Sequence, residues 1–246
     1  MSHFCVLVIG ENPESQIEKY DENLELPMHM VATKEDLIKK QRKWIEDYKN
    51  GLYAEFLKDP EAYKAGCTNE KHIEYLEKTF PQMLEWTDEQ CYQEEIKDYL
   101  EYIEDGETWC EVHSDGSLWE TSNEKAKWDW YKMGGRWRGR LKLKQPDDQH
   151  PLYDGWEFSE KNHSGEYNRL RKEGYCDQAL VGEISNLNEI TTFALVKEGE
   201  WYEKGEMGWW GVVTNPKDED VWKEEVKKLL QGLSDDTLLT ILDCHI

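Results

Sequence analysis

Residues 127–144 read KWDWYKMGGRWRGRLKLK and constrain the fold more than any other stretch of the chain. Three aromatics, Trp128, Trp130 and Tyr131, lead into the pair Gly134-Gly135, and a strict alternation follows. Arg136, Arg138, Arg140, Lys142 and Lys144 fall on one parity, with Trp137, Gly139, Leu141 and Leu143 on the other. Side chains of a strand point alternately to its two faces, so this pattern predicts a strand with one cationic and one apolar or open face. Residues 128–145 carry six Lys/Arg and one Asp, in a chain with 30 Lys/Arg against 53 Asp/Glu. The cationic charge is concentrated where the aromatics are.

The net charge of −23 argues against general attraction to nucleic acid phosphates or anionic membranes. At 246 residues, with 12 Trp and 13 Tyr, the chain holds enough bulky apolar area for a core, and one α+β domain over 1–246 is expected. None of the six cysteines (Cys5, Cys67, Cys91, Cys110, Cys176, Cys244) forms a C-x-x-C pair or has zinc-ligand spacing. No apolar run approaches the roughly 20 residues that span a bilayer. Together these features predict free thiols in a reducing, intracellular setting, with no metal, no cofactor and no membrane partner.

The apolar runs His3–Ile9 and 237–246 read as buried strands. Between them, residues 11–32 show little periodicity. Helices are expected at 33–50, capped by Thr33 and stopped by Gly51; at 70–80, capped by Asn69 and ended by Pro81; and from the capping box at Thr87 to Gly106. The last would bury Tyr92, Ile96, Tyr99, Leu100 and Ile103. These helices make 34–105 a helical insertion. Asp115-Gly116 predicts a hairpin between 107–113 and 117–121. Residues 146–190 are expected to be an irregular insertion or lid, partly helical around 166–172. A hairpin at 192–204, a strand at 207–213, a helix starting at Asn215-Pro216 and a closing strand complete the order. Segregated strands and helices predict an α+β fold with a mainly antiparallel sheet.

No nucleophile elbow, phosphate loop, zinc-protease helix or dinucleotide fingerprint occurs, so no catalytic residue is assigned. The aromatic-cationic stretch has a chemical reading of its own. Arginine offers a planar fork of donors to phosphate, and Trp or Tyr offers a face on which a base stacks. In the alternative reading, Trp128, Trp130 and Trp137 fill the core while the arginines neutralise acidic helices. Met207-Gly208-Trp209-Trp210-Gly211 poses the same choice: its glycines let a ligand approach the rings, or its tryptophans occupy opposite faces of a strand.

The opening MSHFCVLVIGEN, the block from Trp128-Asp129-Trp130-Tyr131 to Gly134-Gly135-Arg136-Trp137, the block at 205–211 and the tail at 239–246 resemble an uncharacterised family of tailed bacteriophages and prophages. The resemblance spans nearly the whole chain and carries no catalytic residues with it. It implies a phage accessory protein in the cytoplasm of a bacterial host, acting against host defence. The expectation is a protein that binds and sequesters a small anionic, nucleotide-derived signal. Its binding residues would be Trp128, Trp130, Tyr131, Arg136, Trp137, Arg138, Arg140, Trp209 and Trp210. Two alternatives stand beside it: an acidic nucleic-acid mimic that inhibits a bacterial defence protein, and an enzyme that degrades a nucleotide signal. The sequence leaves the oligomeric state open.

Overall fold

The structure, a computed structural model, describes residues 2–146, 150–152, 164–208 and 212–246. It divides the chain into two units, one of residues 1–24 with 123–246 and the other of residues 25–122. The fold is α+β.

Among the described residues of the first unit, six strands form the main sheet: β1 (His3–Ile9), β2 (Trp130–Met133), β3 (Gln178–Leu180), β4 (Ala194–Lys197), β5 (Glu200–Glu203) and β6 (Leu238–His245). The order across the sheet is β5-β4-β1-β6-β2, with β3 also paired to β6. β1 runs parallel to β4, and the other pairs are antiparallel. β1 and β6 are apolar along most of their length because both of their faces are covered. Cys5, Leu7, Ile9, Leu239 and Ile241 pack under the helix Glu219–Leu230, through Trp222, Val226 and Leu230. Phe4, Val6, Val8, Leu242 and Cys244 pack on the opposite side with Ile17, Tyr20 and Trp128.

The alternating stretch is not one strand. Gly134, Gly135 and Gly139 adopt φ of +67°, +54° and +67°, which turn the chain out of the extended path. β2 therefore ends at Met133, Gly135–Trp137 form a 3-10 turn, and pairing resumes at Leu141–Lys142 against Tyr175–Cys176. Arg136, Arg138 and Arg140 do not share a strand face. β2 and β3 lie end to end along β6, and the gap between them is closed at Ile241. Its carbonyl accepts from Gly134 N at 2.9 Å, and its N–H donates to the Asp177 carbonyl at 2.8 Å.

Other boundaries also shift. The expected strand at 207–213 is not continuous: Met207 and Val213 belong to two strands that pair antiparallel, with Glu206 opposite Thr214 and Met207 opposite Val213, and 209–211 lie outside the described residues. Asn215, at φ +47°, belongs to the turn that follows, and Asp218 caps the helix in its place. Residues 11–32 hold a short helix, Pro13–Ile17, and a strand, His29–Ala32. The expected lid contains the helix Ser164–Lys172, while its segments 147–149 and 153–163 lie outside the described residues.

In the second unit, helices Lys34–Tyr48 and Asp88–Glu104 both begin with capping boxes, at Thr33/Asp36 and Thr87/Gln90. A three-stranded sheet (His29–Ala32, Leu118–Glu120, Cys110–Val112) packs its Leu118 against Leu37, Tyr92 and Ile96. The first helix ends at Tyr48, and Gly51, at φ −95° and ψ −109°, breaks helical geometry at a kink; helical structure resumes through Ala54–Lys58, and a separate helix, Pro60–Gly66, is capped by Asp59. Pro81 likewise lies within helical structure that runs on to Met83. A π turn at Tyr75–Thr79 has already interrupted the regular hydrogen-bond ladder there, so proline's missing N–H costs little. Leu100 and Ile103 face outward; Cys91, Tyr92 and Ile96 are the buried residues of that helix.

Candidate ligand-binding site

The glycine pair shapes the first unit's candidate site. Two buried carboxylates press against it: a Cβ on Gly134 would collide with Asp177, and one on Gly135 with Asp243. Asp243 accepts the Arg136 N–H at 2.9 Å through Oδ2 and lies 3.0 Å from His3 Nδ1 through Oδ1. Asp177 accepts the Gly139 N–H. The turn thus supplies backbone donors to carboxylates that β6 and the segment after Cys176 carry into the interior. A buried carboxylate requires such partners.

Beyond this turn, a cavity of about 340 Å³ opens against the start of β1. Its walls include His3 and Cys5 of β1, Trp137 and Arg140 of the turn, Thr192 before β4, Lys204 after β5, Met207 and Trp222. The size is within the range of small-molecule sites. The Arg140 guanidinium stands 5.0 Å from the Trp137 ring centroid, in cation–π range. Arg140 is exposed and makes no ion pair or hydrogen bond among the described residues. Lys204 is paired with Glu219. Two groups on residues of the cavity wall, the Trp137 indole N–H and the Thr192 hydroxyl, are buried and have no hydrogen-bond partner among the described residues. Buried polar groups are ordinarily satisfied, so both keep unused hydrogen-bonding capacity. Burial pushes the Cys5 thiol up to about 12, with Arg140's charge opposing and Asp243 and Asp177 adding. Cys5 is therefore a neutral thiol, unsuited to nucleophilic attack.

Two of the nine residues expected to bind ligand, Trp137 and Arg140, are brought together here. Trp130 is adjacent: it lies edge-on to His3 (5.3 Å between centroids) and stacks on His245 (5.0 Å). Trp128 belongs to the core, its indole donating to the Ile17 carbonyl at 3.1 Å, and Tyr131 packs edge-on against it from the same side of the sheet. Arg136 contributes its backbone N–H to Asp243, and Arg138 donates from Nε to the Gly135 carbonyl. Trp209 and Trp210 lie outside the described residues.

His3, Asp243, His245 and Asp129 were not singled out by the sequence. His245 Nδ1 lies 2.7 Å from Asp129 Oδ1, and the His3 and His245 rings are 5.0 Å apart. The signal was available: Asp243 and His245 interrupt an apolar strand at a spacing of two, which places them on one face.

No family model, curated protein or solved structure matches this chain. The site must be read from its own chemistry.

The second unit has a larger cavity, of about 500 Å³, between its helices. Its wall carries Glu94 and Glu95, and its Lys40 is held by Glu95 at 2.6 Å. That chemistry does not suit an anion.

Proposed function

We propose that the first unit binds a small anionic, nucleotide-derived ligand in the cavity at the start of β1. One observation carries the reading: Arg140, an arginine without an ion-pair partner among the described residues of a very acidic protein, stands over Trp137 at an aromatic-walled cavity. A phosphate would meet the guanidinium, and a base would meet the tryptophan face. The unpartnered Trp137 and Thr192 groups supply further donors. In line with the resemblance to phage proteins, the ligand is a signal of bacterial defence, and binding withdraws it from its receptor. Small molecules released by heat from protein purified out of signal-producing cells, and identified by mass spectrometry, test this. A nucleotide that is recovered with wild type but missing from Arg140→Gln is the expected result; the same nucleotide bound equally by the variant would contradict it.

A second reading rests on residues 98–122, which hold eight Asp/Glu and no Lys/Arg, with Leu100, Tyr102 and Ile103 exposed beside them. This acidic face would dock on the nucleic-acid-binding surface of a host defence protein. A complex that weakens steeply with salt is its expected signature.

A further inference from the structure

The histidine in the cavity wall is held in the manner of an acid–base group. Asp243, with its side chain 3% exposed, has both oxygens engaged: Oδ2 by the Arg136 N–H at 2.9 Å and Oδ1 by His3 Nδ1 at 3.0 Å. An ionised carboxylate can only accept, so His3 donates from Nδ1 and its Nε2 carries the lone pair when the ring is neutral. Nε2 makes no hydrogen bond to any described residue, and His3 lines the cavity. Trp130 and His245 hold the ring edge-on at 5.3 Å and 5.0 Å. The Gly134-Gly135 turn is what lets Asp243 reach this position, since a side chain at Gly135 would occupy its place. A carboxylate beside one nitrogen of an imidazole, with the other nitrogen unbonded among the described residues and the ring in the wall of a pocket that also carries an arginine, suits general-base catalysis.

We infer that the cavity is a hydrolytic site in which His3 Nε2 is the general base for attack of water on a phosphodiester bond of the bound ligand. The inference rests on the anionic-ligand reading above. The water oxygen forms a bond to phosphorus while its proton passes to Nε2. The ester P–O bond opposite breaks, and its oxygen leaves as an alcohol, taking a proton from the imidazolium or from solvent. One water is consumed, one phosphomonoester and one alcohol are formed, and His3 returns neutral. Arg140 would meet the charge that builds on the phosphoryl oxygens. Asp243 is a positioning residue in this scheme. Cys5, kept as a thiol by burial, leaves water as the nucleophile.

The experiment uses the full chain with cyclic dinucleotides of adenine and guanine, and with bis(4-nitrophenyl) phosphate, in ¹⁸O-labelled water. Binding is followed by thermal shift and products by mass spectrometry. The expected result is a linear product with one ¹⁸O on phosphate for each bond opened. His3→Ala should slow this about 100-fold or more; its unliganded melting temperature falls because buried Asp243 loses a partner, but the ligand-induced shift persists, and added imidazole should restore part of the rate. His3→Gln, which can still donate to Asp243, serves if His3→Ala does not fold. A ligand that shifts the melting temperature and is recovered intact overturns the hydrolytic inference and leaves the binding reading standing. No shift and no turnover with any of these compounds removes both. Turnover undiminished in both His3 variants overturns the assignment of the base.

Discussion

At residue scale, Gly134 and Gly135 are required twice over, by their positive φ and by the carboxylates against them. Gly135→Ala must both strain the backbone and displace Asp243, and it should lower stability by about 1–3 kcal/mol in urea titration. Gly66, at ordinary φ with nothing near its missing Cβ, should tolerate alanine without loss. The buried thiols give a pH dependence of definite sign. Cys5 and Cys176 are pushed up to about 12 by burial, against an ordinary 9.0. Their folded pKa is raised, so the stability they contribute is fully present below pH 9 and is lost as pH rises from 9 towards 12. Melting temperature should fall through that range. Below it, iodoacetamide should modify Cys67, the partly exposed cysteine, well before Cys5, Cys176 or Cys244, as read by peptide mass spectrometry.

At the scale of elements, β1 and β6 carry the first unit. Val6 and Leu242 face each other across that pair with no exposed surface. Val6→Asp or Leu242→Asp should abolish cooperative melting of this unit, because an unpaired buried carboxylate costs several kcal/mol of a total of about 5–15. These strands were legible in the sequence because they are covered on both faces and so read as unbroken apolar runs. The cap at Thr33 and the capping box at Thr87 were legible because their pairing is local. The stretch 136–144 was not, since alternation of residue types says nothing of φ, and three glycines at positive φ bend it into a turn. Its chemistry was half legible: Trp137 and Arg140 meet at the cavity, whereas Trp128 is drawn into the core. The His3–Asp243 pair spans 240 residues of chain, and no local pattern announces such a contact.

At the scale of the whole molecule, the acidic charge is unevenly divided. Residues 25–122 hold 24 Asp/Glu against 11 Lys/Arg, and the remainder holds 29 against 19. The second unit has its own buried clusters, around Leu37, Tyr92, Ile96 and Leu118 and around Ile45, Phe80, Met83 and Cys91. Against that acidic background, Arg140 at an aromatic-walled cavity is the basis for the proposal that the first unit binds an anion. The most direct measurement is the thermal shift produced by cyclic dinucleotides in wild type and in Arg140→Gln. A ligand at a hundredfold excess over its Kd stabilises the folded state by about 2.7 kcal/mol. The account predicts that shift in wild type, together with a variant whose unliganded melting temperature is close to wild type and whose shift is lost. Equal shifts in both proteins, or none in wild type, would contradict it.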